Sequence, residues 1–262
     1  MGDLKGLKSK LITIAALCIA ILIGLVILNL DSCNFNISLP TPKPKPAPTA
    51  EPTPEPTVMP TVEPTPEPTP VPPAVDLESD DSINRYISQT HMISETYVPA
   101  DLRAVNVHSA ETKRLRDEAA GKLEEMFQAA INDRIYLKLV DGYRSYQQQK
   151  DLYSYYMQIR GKQYASSVDD HPGASEHQLG LAADIGCWNG ACELAYCFTS
   201  YPNYQWLLDN SYKYGWIERY PKGKQEITGI VYSPWHYRYV GIEEAEKIHE
   251  SGLTMEEYYN IQ

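Results

Sequence analysis

The sequence predicts an α+β domain, a small antiparallel sheet with packed helices, preceded by a single transmembrane helix and a proline-rich stalk. Three observations lead there. Residues 11–30 carry no charge, and residues 40–73 have proline at nearly every second position. From about Val75 onward, helical periodicities alternate with short strand-like runs joined by hairpin-like links.

The first ten residues, MGDLKGLKSK, hold three lysines and one aspartate. The uncharged run Leu11 to Leu30 follows, and twenty helical residues match the hydrocarbon thickness of a bilayer. A cleavable signal peptide has a shorter apolar region and a small-x-small end, which "LNLDSCNF" does not offer. "LDSC" at Leu30–Cys33 resembles a lipoprotein cleavage box only loosely, since Asp31 fits it poorly, and Gly6 stands where N-myristoylation needs Ser or Thr. The reading is a cytoplasmic tail over 1–10 and an anchor over 11–30. The lysines leave the amino terminus inside and everything after Asp31 outside the cell membrane, on the wall side of a bacterium.

Residues 31–74 form the linker. Proline either lacks an N–H or pushes its predecessor to extended geometry, so polyproline II is the expected state. At about 3.1 Å per residue it reaches on the order of 100 Å. Residues 75–262 remain as the folded domain. A net charge of −11, with no basic stripe after the stalk, argues against nucleic-acid binding. Cys33, Cys187, Cys192 and Cys197 would face an oxidising exterior. The segment "CWNGACELAYC" suits one local disulfide with a cysteine left over, and the spacing leaves the partners open.

Within the domain, "ETKRLRDEAAGKLEEMFQAAIND" places Leu115, Ala119, Met126 and Ile131 at helical intervals. "RIYLKLVDGYRS" alternates Ile135, Leu137 and Leu139 as a half-buried strand. Ser145–Gln148 has capping-box form and opens a helix through Leu152, Tyr156 and Ile159. After the loop "DDHPGASEHQLG" comes the strand "LAADIG". "PNYQWLLDNSYKYG" reads as a helix with proline near its start and Gly215 near its end. "WIERY" and "VYSPWHYRYV" are further strands linked by the polar turn "PKGKQEITG", and two short helices close the chain.

The chemistry concentrates in "SEHQLGLAADI", Ser175 to Ile185. His177 stands in a glycine-containing loop, and Asp184 lies seven residues later on the following strand. With His236 they make His/Asp/His, three ligands that leave a fourth position open, the pattern of catalytic rather than structural zinc. A histidine taken alone is more often a hydrogen-bonded structural residue. The combination is what argues for a metal.

"SEHQLGLAAD" resembles the Ser-x-His-x-x-Gly-x-Ala-x-Asp motif of zinc D-alanyl-D-alanine carboxypeptidases of the VanY type. "PWHYRYVG" is similar to that family's second motif, and "DGYRSYQQQ" to its upstream segment. The resemblance covers about Arg103 to the end, with the motifs in order. It implies the hedgehog/D,D-peptidase-like metallopeptidase fold shared with lysostaphin-like enzymes, Zn2+ on His177, Asp184 and His236, and peptidoglycan stem peptides ending in D-Ala-D-Ala as substrate. Arg144 would bind the terminal carboxylate or polarise the scissile carbonyl through its planar fork. Ser175 would touch substrate near the metal, unless its hydroxyl only caps the loop. Gly180 and Ala182 would permit close packing.

One position departs from the family. These enzymes carry glutamate three residues before the second histidine ligand, as general base, and this chain has Ser233. A serine hydroxyl is not basic near neutral pH, and losing a positioned base costs about 10²–10⁴ in rate. Glu176 adjoins a ligand but is expected to point away from the metal, and Glu226 lies on the turn before. The resemblance therefore implies a membrane-anchored zinc D,D-carboxypeptidase. The alternatives are a catalytically impaired relative that binds wall peptides as sensor or scaffold, and a zinc endopeptidase of wall cross-links.

Overall fold

A computed structural model describes residues 75–168 and 170–261. The expected tail, anchor and stalk, with Cys18 and Cys33, lie outside the described residues. Among the described residues no helix is long and apolar enough to cross a membrane.

The fold is α+β. A two-stranded ribbon pairs β1 (Leu102–Ala104) with β2 (Arg114–Arg116). The main sheet contains β3 (Leu137–Asp141), β4 (Ala182–Cys187), β5 (Trp216–Glu218) and β6 (His236–Tyr239), in the order β3-β4-β6-β5, with every pairing antiparallel. The helices are α1 (Asp117–Asn132), α2 (Tyr146–Arg160), α3 (Lys162–Val168), α4 (Pro202–Asn210), α5 (Gln225–Thr228), α6 (Ile242–Ser251) and α7 (Met255–Tyr258).

The sheet divides the molecule because side chains alternate faces along a strand. One face carries Leu139, Ile185, Tyr237 and Tyr239, all buried in one cluster with Leu123, Met126 and Phe127 of α1. The other face carries Asp184, His236 and Arg238, which are buried although charged or polar. The hydrophobic face makes the core, and the polar face makes the site.

Local signals in the sequence are realised closely. Ser145 Oγ accepts from the Gln148 N–H while the Gln148 side chain accepts from the Ser145 N–H, so the capping box forms. Pro202 begins α4, and Gly215 takes a left-handed conformation after the short 3-10 turn Ser211–Tyr214. Other expectations are corrected. The first helix begins at Asp117, because Arg114–Arg116 pairs with β1 instead, and Leu115 is buried from a strand while Ile131 is an exposed helix residue. On α2 the buried residues are Gln149 and Tyr153, and the Leu152 and Tyr156 row faces a cleft. The link "PKGKQEITG" contains α5. Only His236–Tyr239 of "VYSPWHYRYV" is strand; Ser233 precedes it in a turn closed by the His236 N–H donating to the Ser233 carbonyl at 3.0 Å.

Cys192 and Cys197 form the local disulfide, and Cys187 is buried with a free thiol. Gly180 has φ +67, a backbone conformation that favours glycine, and a Cβ there would also press on a methyl of Leu102 at 2.8 Å and on Arg116. Glu218 pairs across the sheet with Tyr237, on the face opposite His236. Its carboxylate accepts from Tyr204 Oη at 2.9 Å, and Tyr204 in turn accepts from Tyr232 Oη at 2.8 Å. Burial pushes the Glu218 carboxyl up to about 7, against the smaller opposing effect of the Tyr204 hydrogen bond.

Two outcomes are expected. Gly180→Ala lowers unfolding stability by more than about 1 kcal/mol, measured by denaturant titration, because a left-handed residue acquires both strain and a clash. For Glu218 the folded pKa lies above the unfolded value of about 4.3. The folded state therefore holds the extra proton, and stability falls as pH rises from about 4.5 to about 7. In Glu218→Gln this decline is reduced in thermal melts across that range, and an unchanged pH profile would exclude the assignment.

Candidate metal centre

Three separate pieces of chain bring the donors together. Asp184 on β4 and His236 on β6 are directly opposed partners in the ladder, so their side chains rise from the same face as neighbours. His177 comes from the turn before β4, which is clipped to the exit of β3. Its Nδ1–H donates to the Gly142 carbonyl at 2.6 Å, and its own carbonyl accepts from the Arg144 N–H at 3.1 Å. The result is a buried cluster of His177, Asp184 and His236 whose donor atoms all lie within 4.8 Å of one another.

The atoms left over show what the cluster fits. With Nδ1 of His177 donating to a carbonyl, the lone pair is on Nε2, which is buried, has no hydrogen-bond partner and lies 3.5 Å from Asp184 Oδ2. His236 turns Nδ1 to Asp184 Oδ1 at 3.1 Å and Nε2 to Glu176 Oε2 at 3.4 Å. A proton on Nε2 shared with Glu176 leaves the Nδ1 lone pair facing the aspartate. Two nitrogen lone pairs and a carboxylate thus converge, and a cation reconciles them. Burial alone would raise the Asp184 carboxyl, but the flanking imidazoles of His177 and His236 hold it far below the usual range. Two imidazoles and a carboxylate with a further position open toward a cleft suit zinc.

Behind this set stands a buried polar network that sequence reasoning did not anticipate. Glu176, 1% exposed, accepts from Arg219 at 2.7 Å and from Arg238 at 3.0 Å through Oε1, leaving Oε2 for His236. Arg219 also reaches both oxygens of Glu256, and Arg238 caps the carbonyls of Ile83 and Arg85. Although burial opposes ionisation, Arg219 and Arg238 hold the Glu176 carboxyl well below its ordinary value. Glu176 therefore faces the rear of a ligand and not the donor cluster. The signal for it was its place next to His177, together with one arginine just after β5 and another on β6.

The cleft, about 450 Å³, is lined by the three donors, Arg144 and Ser233. Arg144 lies with Nε 3.3 Å from Asp141 Oδ2, and Asp141 also faces Lys113 at 3.4 Å. Ser233 is in place, but its hydroxyl donates to the Val231 carbonyl at 2.9 Å and its N–H to the Tyr220 carbonyl at 3.1 Å. Ser175 is 1% exposed and does not line the cleft, so the structure separates it from the other named residues. Glu226 is exposed and also outside the cleft. Besides Asp184, the carboxylates of the cleft are Asp141 and Asp170, the latter accepting from Tyr220 Oη at 3.3 Å.

This geometry defines a metallopeptidase-type site: a metal-donor cluster and an arginine sharing one cleft. The family model for VanY, D-alanyl-D-alanine carboxypeptidase, matches residues 112–242, and the chain belongs to that family. The putative carboxypeptidase YodJ of Bacillus subtilis (strain 168) is 38% identical over 188 residues, 70% of this chain and 69% of that protein. Among solved structures, the LdcB LD-carboxypeptidase is similar with TM-score 0.66 and 38% identity, covering 69% of this chain and 87% of that one. VanYB in complex with D-alanine-D-alanine has TM-score 0.57 and 35% identity, covering 68% and 97%. A glutamate-to-alanine mutant of VanY from the VanB-type resistance cassette, solved with Zn(II), has TM-score 0.56 and 35% identity, covering 66% and 96%. Zinc is thus the ion that both the donor set and the family indicate.

Glu176 orients a ligand from behind, and loss of such a partner typically weakens metal binding about 10–100-fold. Glu176→Gln is expected to lower zinc affinity in that range in a chelator-competition titration. Glu226→Gln, remote from the cluster, leaves it unchanged.

Proposed function

We propose that this chain is a zinc carboxypeptidase-type protein of the bacterial cell surface that engages the D-Ala-D-Ala end of peptidoglycan stem peptides and hydrolyses it slowly. The observation that carries the reading is the sharing of one cleft by Arg144 and the His177, Asp184, His236 cluster. Arg144 supplies a planar fork for the peptide's terminal carboxylate, and Asp141 forms an ion pair beside it. When bound, zinc supplies electrophilic polarisation of a peptide carbonyl and makes water more acidic. Glu176 keeps the His236 ring oriented. Burial of the donors excludes bulk water and strengthens each of these interactions.

Proton transfer is the weak step. Ser233 cannot accept a proton from the attacking water, and its hydroxyl is bonded to the Val231 carbonyl. Turnover then rests on carboxylate binding and carbonyl polarisation without a positioned base. The same observation supports a second reading: a wall-peptide binder that retains the metal for recognition and does not turn over. Location at the membrane, with the domain held outside, rests on the uncharged run 11–30, the lysines before it and the proline-rich stretch after it.

Released D-alanine is to be measured for the purified, zinc-loaded chain with a D-Ala-D-Ala-terminated pentapeptide. The expected result is slow release that His236→Ala abolishes and Ser233→Glu raises by about 10²–10⁴. Equal rates for the native chain and Ser233→Glu would show that a base is supplied elsewhere. Zinc-dependent peptide binding with no release by the native chain would establish the second reading. Absence of stoichiometric zinc would end both.

A further inference from the structure

The segment joining β4 to α4 touches two separate cavities. Leu194, Ala195 and Tyr196 line the metal cleft, whereas Trp188 and Asn189 line a second groove of about 650 Å³. The Cys192–Cys197 disulfide ties down the limb that reaches the cleft. Asp184 and Cys187, three residues apart on β4, face opposite sides of the sheet, and the segment from Trp188 to Tyr196 carries the chain from the groove around to the cleft. An extended ligand that followed this segment would reach both.

The groove has a distinct chemistry. Its walls are aromatic and aliphatic, with Tyr136, Trp188, Tyr201 and Ile135 among them, and its polar groups are Asn189, Asn203 and Arg134. No carboxylate lines it, although the chain carries a net charge of −11. Trp188 is 51% exposed and Tyr136 52%, with their rings 72° apart. These walls are set in advance. His108 stacks on one face of the indole at 3.4 Å, and the Tyr136 carbonyl accepts both the Trp188 N–H at 3.1 Å and Asn203 Nδ2 at 2.8 Å. Among the described residues, the Asn203 side-chain oxygen and the Arg134 guanidinium make no hydrogen bond.

An amino sugar matches this arrangement. A pyranose ring presents a face of C–H groups that packs on an aromatic plane, and its rim of hydroxyls and an N-acetyl amide needs amide and guanidinium partners. A wholly apolar ligand would leave the Asn203 side-chain oxygen, the Asn189 amide nitrogen and Arg134 unused, and one guanidinium is too little for a polyphosphate. We propose that this groove binds an N-acetylated amino-sugar unit of the glycan strand whose stem peptide enters the metal cleft. The inference rests on the stem-peptide reading, and the two ligand portions then raise each other's effective concentration.

The test is calorimetric titration of the zinc-loaded full chain with three probes: free pentapeptide ending in D-Ala-D-Ala, the same peptide on N-acetylglucosaminyl-N-acetylmuramic acid, and tri-N-acetylglucosamine. The disaccharide-peptide is expected to bind at least about tenfold more tightly than the free peptide. Trp188→Ala removes that advantage and leaves free-peptide affinity unchanged. Trp188→Phe, which keeps an aromatic plane, retains most of it and controls for folding. Equal affinity of the native chain for both peptides, or an advantage indifferent to Trp188→Ala, overturns the proposal. If the free peptide does not bind but the trisaccharide does so through Trp188, the groove assignment stands and the stem-peptide reading fails.

Discussion

The site depends first on one cross-strand pair. Asp184 and His236 are separated by 52 residues of chain, yet they face each other across the β4–β6 ladder and their polar atoms are 3.1 Å apart. A one-residue slip of that register would send His236 to the hydrophobic face and bring Tyr237 to the metal side. The register is held by what each face buries. Tyr237 and Tyr239 pack in the core with α1, and Arg238 is used entirely by Glu176 and three backbone carbonyls. The fold and the metal centre are therefore set by the same alternation.

The buried ions follow from this arrangement. Removing Glu176, Arg219 and Arg238 from water is costly unless each charge is matched, and here one carboxylate lies against two guanidiniums while a second carboxylate, Glu256, shares Arg219. The network leaves Glu176 Oε2 directed at His236, so a proton on Nε2 has a carboxylate to accept it. Ser233 sits at the edge of the same construction. Its backbone closes the turn that launches β6, and the donor cluster forms with serine at this position.

Much was legible from residue order alone. Strand alternation at Leu137 and Leu139, the Ser145–Gln148 capping box, Pro202 opening a helix and Gly215 closing one are local rules, and local rules survive folding when nothing competes. The failures have a common cause. Arg114–Arg116 sits in a helical pattern, but its backbone pairs with Leu102–Ala104, an earlier stretch that periodicity does not register. Ile131 follows the helical spacing but lies in the last turn of α1, where it is exposed. The short span of β6 reflects Pro234, which cannot donate to a ladder and holds Ser233 in the turn before it.

Residue order was enough to single out the donor types, their succession along the chain, the arginine of the same cleft and a serine at position 233, because motif spacing specifies which chemistry is present. The remainder came with folding. It set which nitrogen of each histidine faces the aspartate, the use of the Gly142 carbonyl to orient His177, and the removal of Ser175 from the cleft. It also chose Cys192 and Cys197 as the bonded pair and placed Trp188 at a second groove. Each of these is a relation between residues distant in sequence, or a choice of direction for one side chain. Such relations exist only once strands have paired and the polar face has been enclosed.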